Sequence, residues 1–179
     1  MKRLCVFCGS AEGFSPAYLE MAKALGTFMA KNDIALVYGG ATIGVMGAIA
    51  DAVLAHGGQV IGVIPKTLVN YEIAHRGLTE LHIVEGMHER KKLMYDKSDA
   101  FLSLPGGMGT LDEMFEILTW SQLKLHSKPC FIYNFQGFYD SLLAYLRHAH
   151  NEGFIKPQHL SMLEEIKDSQ SLEGMIKSL

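Results

Sequence analysis

Apolar residues along the chain cluster in two alternating kinds of segment. Residues 4–8, 34–38, 59–64, 81–84, 100–104 and 130–135 are short and mostly unbroken apolar runs. That density predicts strands buried on both faces, as in a parallel sheet covered by helices. Between the runs, apolar positions recur with helical spacing. Ser15-Pro16 supplies an N-cap and a first-turn proline for a helix reaching about residue 32, with Leu25, Phe28 and Met29 on one stripe. A second helix ends near His56 at Gly57-Gly58; others are expected over 87–98, 111–125 and 138–151, the last closed by Gly153. Residues 66–79 show no period and read as a loop with one helical turn. Beyond residue 158 the pattern predicts a short helix, a last strand near 165–167 and a terminal helix from about 171. The expected architecture is α/β: a doubly wound, mainly parallel sheet forming one domain over residues 1–179. No repeat, low-complexity tract or linker interrupts it.

Ligands on such sheets bind beyond the carboxyl ends of the strands, at a switch point in strand order. The turns at those ends therefore carry the first functional signal, and two are rich in glycine. One holds Gly39, Gly40, Gly44 and Gly47; the other runs Leu104-Pro105-Gly106-Gly107-Met108-Gly109-Thr110-Leu111-Asp112-Glu113. Both are expected to line one pocket. Strand, glycine turn and helix start together suit an anion, because backbone N–H groups can approach it closely and the helix adds unpaired donors and its positive end. The second turn is neither G-x-G-x-x-G nor a P-loop, which needs a closing Gly-Lys-Ser/Thr. Thr110 could cap the helix and could also offer its hydroxyl to a phosphate. Asp112 and Glu113 are expected in the first helical turn. Either they simply favour the positive end of the helix, or the ligand calls for a carboxylate beside it.

The helix over 87–98 adds cations to this picture. At 100° per residue Met87 and Met94 point the same way, and Arg90 and Lys91 straddle that direction. Both cations therefore lie along the apolar stripe, where an arginine needs a carboxylate partner or a bound anion. Lys92 and Glu89 read as solvated surface. Glu113 and Glu116, one helical turn apart, share a face. Glu72 sits in the irregular loop with no signal of its own. The histidines show no metal-ligand spacing, no Ser-His-Asp arrangement stands out, and Trp120 and Tyr133 read as core. Nothing marks a Schiff-base lysine, so pyridoxal-phosphate decarboxylation of an amino acid is not supported.

Composition then limits partners and location. A hydrophobic share of 49% with 20% charged residues is that of a soluble globular chain. A formal net charge of −3 gives no reason to expect nucleic acid or a membrane surface as partner, and no apolar run reaches membrane-span length. Residues 1–4 run straight into a strand pattern, so no signal peptide is expected. Cys5 and Cys8 form a C-x-x-C inside a predicted strand, and Cys130 starts another; buried structural thiols in a reduced, cytoplasmic protein are expected.

With these motifs in place, the chain resembles the "Lonely Guy" family of cytokinin-activating nucleotide phosphoribohydrolases, many bacterial members of which were once labelled lysine decarboxylases. The resemblance covers nearly the whole chain. It rests on Cys5-Val6-Phe7-Cys8-Gly9-Ser10, the turn from Gly39-Gly40 to Met46-Gly47, Met87-His88-Glu89-Arg90-Lys91 and Pro105-Gly106-Gly107-Met108-Gly109-Thr110-Leu111-Asp112-Glu113. Trp120, Gln122-Leu123 and Lys128-Pro129 follow in the family's order. Tyr38 and Ala41 stand where many members have further glycine, and Met108 where many have an aromatic.

The resemblance implies a modified Rossmann fold and a homodimer with sites near the subunit boundary. It also implies hydrolysis of the N-glycosidic bond of a nucleoside 5′-monophosphate, AMP or an N6-modified AMP, with no metal or organic cofactor. By matching position, Arg90 and Glu113 would be catalytic. Glu72, Arg90, Lys91, Gly107, Met108, Gly109, Thr110, Leu111, Asp112, Glu113 and Thr119 would contact substrate, with the backbone from Gly106 onward at the phosphate. A carboxylate at Glu113 suits the chemistry, since cleavage builds positive charge on the sugar. Arg90 would serve either the phosphate or the reacting centre. The alternative is a non-catalytic carrier of a nucleotide or molybdenum cofactor, which needs the anion site but no carboxylate at the sugar.

Overall fold

The structure, a computed structural model, describes residues 1–69 and 74–179. Among these residues seven strands form one sheet: β1 (Lys2–Phe7), β2 (Ile34–Tyr38), β3 (Val60–Pro65), β4 (Glu80–Val84), β5 (Ala100–Ser103), β6 (Cys130–Tyr133) and β7 (Leu163–Ile166). Their order is β4-β3-β2-β1-β5-β6-β7, and every neighbouring pair is parallel. The expected doubly wound α/β fold is the one observed, with a wholly parallel sheet. Its helices are α1 (Ala17–Lys31), α2 (Gly44–Ala55), α3 (Met87–Asp96), α4 (Met108–Gln122), α5 (Asp140–Asn151), α6 (Pro157–Leu160) and α7 (Ser169–Ser178).

Alternation along the central strand divides the core into two layers. Leu4, Val6 and Cys8 belong to the layer under α1, α2 and α7, with Met29, Ile49 and Ile176. Cys5 and Phe7 belong to the layer under α3, α4 and α5, with Met94, Met114 and Leu146. Fully burying each of the Leu, Val, Ile, Phe and Met side chains among these contributes about 1.5–3 kcal/mol. The edge strands β4 and β7 are only partly covered, and Ile83 is exposed. The chain builds outward from β1 to β4, then returns through α3 to β5 on the other side of β1. The switch point is thus at the carboxyl ends of β1 and β5, where residues 8–10 and 104–110 lie.

Three helices, α2, α4 and α5, end in the same way. Gly58 N–H donates to Val53 O, Leu125 N–H to Trp120 O and Phe154 N–H to Ala149 O, each at 2.9 Å. The residue before each donor has positive φ: Gly57 at 75°, Lys124 at 61° and Gly153 at 83°. This is the Schellman ending, which favours glycine because a Cβ is strained in the left-handed region. The glycine endings anticipated at Gly57 and Gly153 are present, while Lys124 does the same job under strain. Lys124→Gly should therefore raise stability by about 1 kcal/mol, measured as a higher denaturant midpoint with unchanged slope. A midpoint that stays put or falls would show that the Lys124 backbone is not strained.

Candidate active site

Three loops meet at the switch point and are stitched together by backbone hydrogen bonds. Gly9 N–H donates to Pro105 O at 3.3 Å, Leu104 N–H to Phe7 O at 2.9 Å, and Met46 N–H to Gly9 O at 3.3 Å. The buried Tyr139 hydroxyl donates to Leu104 O at 2.7 Å, fixing the end of β5 where the signature turn begins. The glycines divide by purpose. A Cβ at Gly39 would collide with the Arg90 guanidinium, and one at Gly106 with the Thr110 hydroxyl, so close approach requires both. At Gly107 and Gly109 a Cβ would meet nothing within 4 Å. Those two positions face open space, as a cradle for a ligand would.

The loops enclose a cavity of about 240 Å³, lined by Cys8, Gly9, Ser10, Gly39, Met46, Leu68, Met87, Arg90, Gly107, Met108, Gly109, Thr110, Asp112 and Glu113, among others. Both glycine-rich turns contribute, as anticipated. Helix α4 begins at Met108 with Gly107 as its N-cap, three residues earlier than the apolar pattern suggests. Thr110 is consequently inside the first turn, buried, and not the cap. The earliest i→i−4 hydrogen bond of the helix is Leu111 N–H to Gly107 O at 3.2 Å. The N–H groups of Met108, Gly109 and Thr110 therefore have no acceptor within the helix and leave its start with free donors of the kind that suits an anion. Asp112 and Glu113 move correspondingly to the second turn, where attraction to the helix end no longer accounts for them.

Arg90 comes to the same cavity from α3 with 5% of its surface exposed. Its Nη2 donates to Gly39 O at 3.3 Å and lies 3.8 Å from Glu113 Oε1. Its buried Nε finds no hydrogen-bond partner among the described residues. The cation on the apolar stripe thus meets a carboxylate and keeps one donor unspent. Glu113 has an 11% exposed side chain. Lys91, the adjacent cation, turns the other way. Its Nζ lies 2.7 Å from Asp112 Oδ2 and 3.0 Å from Glu116 Oε2, and it is absent from the cavity wall. Burial works against its charge, yet the hydrogen bonds to Asp112 and Glu116 leave its pKa above the usual lysine value.

Cys8 borders the cavity, but burial, reinforced by the charge of Glu113, pushes its thiol pKa well above the usual value and so disfavours the thiolate. Burial likewise raises Cys5 well above its ordinary value and Cys130 to about 12. All three cysteines are free and buried, as anticipated. No group of three or more His, Cys, Asp or Glu among the described residues could hold a metal.

Of the other candidate residues, Leu111 is half-buried against the core under α4, and Thr119 stands apart. The Thr119 hydroxyl donates to Phe115 O at 2.7 Å, and the residue borders a separate hollow with Leu146 and His159. Glu72 lies outside the described residues. Met46, Met87 and Leu68 line the cavity without having been singled out for it; an apolar residue beside a glycine turn looks the same in sequence whether it faces core or ligand. A larger hollow of about 660 Å³ lies at the opposite ends of the strands, near Pro129 and Cys130. Its His126 and Lys128 are committed to Ile117 O at 2.9 Å and Tyr95 O at 2.7 Å. They serve packing there, and Lys128 also sits 3.9 Å above the Tyr95 ring.

Fold and cavity together define a Rossmann-like α/β protein with an anion cradle and a buried arginine–carboxylate pair at its switch point. A family model described as "Possible lysine decarboxylase" matches residues 46–175. The chain is 47% identical to the cytokinin riboside 5′-monophosphate phosphoribohydrolase of Rhodococcoides fascians, over 99% of this chain and 90% of that protein. It is 50% identical to cytokinin riboside 5′-monophosphate phosphoribohydrolase LOG1 of Arabidopsis thaliana, over 99% of this chain and 82% of that one. The chain belongs to this phosphoribohydrolase family. Among solved structures, the molybdenum cofactor binding protein of Rippkaea orientalis matches with a TM-score of 0.73 at 22% identity, covering 99% of this chain and 97% of that one. A Moco carrier protein of Chlamydomonas reinhardtii also gives 0.73, at 19% identity over 99% and 96%. These two share the fold alone.

Proposed function

We propose that the protein hydrolyses the N-glycosidic bond of a nucleoside 5′-monophosphate, AMP or an N6-modified AMP such as a cytokinin riboside monophosphate, releasing free base and ribose 5-phosphate. One observation carries the reading: a buried Arg90–Glu113 pair shares a single cavity with the open start of α4. The named activity of relatives at 47% and 50% identity supports it. A carrier would need the cradle, but has no use for a carboxylate beside the sugar. The inherited decarboxylase label finds no lysine in the cavity wall among the described residues.

In this mechanism the phosphate is held by the N–H groups of Met108, Gly109 and Thr110 and by the Thr110 hydroxyl. Binding of this non-reacting group positions the ribose. The bond between C1′ and the base nitrogen breaks, and its electron pair leaves with the base, which takes up a proton. Positive charge grows on the sugar, and the Glu113 carboxylate stabilises it and orients the attacking water. Water oxygen bonds to C1′ and its proton passes to Glu113 or solvent. Arg90 acts at this reacting centre, 3.8 Å from the carboxylate, orienting it, while its Nε, without a partner among the described residues, remains for the substrate.

The proposed assembly is a homodimer in the cytoplasm. Leu123 and Leu125 are 61% and 63% exposed at the end of α4 that carries Thr119, an apolar surface of the kind a second copy covers. Three free, buried cysteines suit a reducing compartment. Purified protein incubated with AMP or isopentenyladenosine 5′-monophosphate should yield free base and ribose 5-phosphate by chromatography, and the rate ratio would set base preference. Nucleotide bound without release of base from either would favour the carrier reading.

A further inference from the structure

Helices α3 and α4 each carry one half of the reactive pair, yet their backbones do not pack closely on each other. Helix α3 rests on β3 and β4, and α4 rests on β1. Side chains therefore set the rotation and height of one helix relative to the other. At the far end the Tyr95 ring meets Trp120 edge-on, with centroids 5.4 Å apart. At the site end, beside the long Arg90–Glu113 contact itself, Lys91 links the two helices, bonded to Asp112 at 2.7 Å and to Glu116 at 3.0 Å. Asp112 and Glu116 are four residues apart and so lie one above the other on α4. Glu113 follows Asp112 directly, and Lys91 follows Arg90 directly. The clamp thus sits one residue round from the reactive pair on both helices.

We propose that Lys91 is a positioning residue: by gripping Asp112 and Glu116 it fixes the register in which Arg90 faces Glu113, and it does not itself hold the substrate. This rests on the hydrolase reading and revises the substrate contact that resemblance implies for Lys91. The side chain is only 12% exposed, stands outside the cavity wall, and directs its ammonium at two carboxylates. A cation already neutralised by two acids adds little attraction for a phosphate. Among the described residues Arg90, by contrast, meets one carboxylate at 3.8 Å and keeps a donor without a partner. A reacting geometry that slips by about 1 Å can lose 100-fold in rate, so a clamp next to both reacting side chains acts on turnover rather than on affinity.

The test is steady-state kinetics on wild type, Lys91→Met, Lys91→Arg, Glu116→Gln and the double variant Lys91→Met/Glu116→Gln. Lys91→Met should lower kcat about tenfold or more with KM within twofold. Lys91→Arg should recover most of that loss, since a guanidinium can span both carboxylates. Glu116 does not line the cavity, yet Glu116→Gln should reproduce the kcat loss in part, and the double variant should be no worse than Lys91→Met. A tenfold rise in KM with kcat held in Lys91→Met would overturn the proposal and make Lys91 a phosphate ligand. If Lys91→Met does not fold, Glu116→Gln decides alone: wild-type kcat there would also overturn it. A wild type that releases no base defeats the hydrolase reading and the positioning role together. Normal wild-type turnover beside variants altered only in KM defeats the positioning role alone.

Discussion

Glu113→Gln should abolish most turnover, by about 10²–10⁴-fold, while nucleotide still binds. Glutamine keeps the length and planarity of the side chain, so the cavity of about 240 Å³ and the α4 start that would hold the phosphate are left as they are. What disappears is the negative charge beside the sugar. Growing cationic character at C1′ then meets a dipole instead of a carboxylate, and the attacking water loses its acceptor. The measurement is a single-turnover assay of base release alongside the rise in melting temperature that nucleotide causes in each protein. Turnover near wild type would remove Glu113 from the reaction. Lost turnover together with lost binding would make it a ligand for the ribose or base.

The strands were legible because burial on both faces leaves so little polar residue in them. Ile34–Tyr38 is buried at all five positions and reads as a strand at sight. The tail strand Leu163–Ile166 is an edge, half polar, and its boundary slid by two residues toward the more polar 165–167. Helix ends with glycine were legible for the same physical reason that they exist: Gly57 and Gly153 fill positions of positive φ. Lys124 fills an equivalent position with nothing in its side chain to announce it.

The site was legible at its glycines and less so at its helix start. An apolar stripe locates the turns that touch core, and the first turn of α4, Met108-Gly109-Thr110, meets core only at Thr110. Periodicity therefore began the helix at Leu111 and put the two acids too near the end. Arg90 and Lys91 looked equivalent from their spacing, both beside the stripe. They diverge in space because a 100° step takes one toward Gly39 and Glu113 and the other toward Asp112 and Glu116. Which acids answer which cation depends on the approach of α3 to α4, and no local pattern encodes that.

Arg90→Met is the second substitution with a large expected effect, and its effects on rate and on stability should separate. Methionine has nearly the length of the arginine stem and fills irregular space well, so the packing of α3 over β3 survives. In the free protein the guanidinium is poorly repaid for its burial. Among the described residues its carbonyl contact is 3.3 Å, its carboxylate is 3.8 Å away and its Nε has no partner. Breaking a tight buried ion pair costs about 3–5 kcal/mol, whereas this loose one should cost about 1 kcal/mol or less in the absence of nucleotide. Turnover should nevertheless fall by about 100-fold or more, because Glu113 loses the cation that orients it and the substrate loses a buried donor. Thermal melts of the free protein and initial rates of base release read the two effects independently. A variant that melts like wild type and turns over like wild type would reduce Arg90 to a spacer. One that unfolds would show that the pair holds the two helices together, and that the long contacts understate its strength. The expected result, a near-normal melt with turnover lost, is the mark of a group kept for chemistry at some cost to the fold.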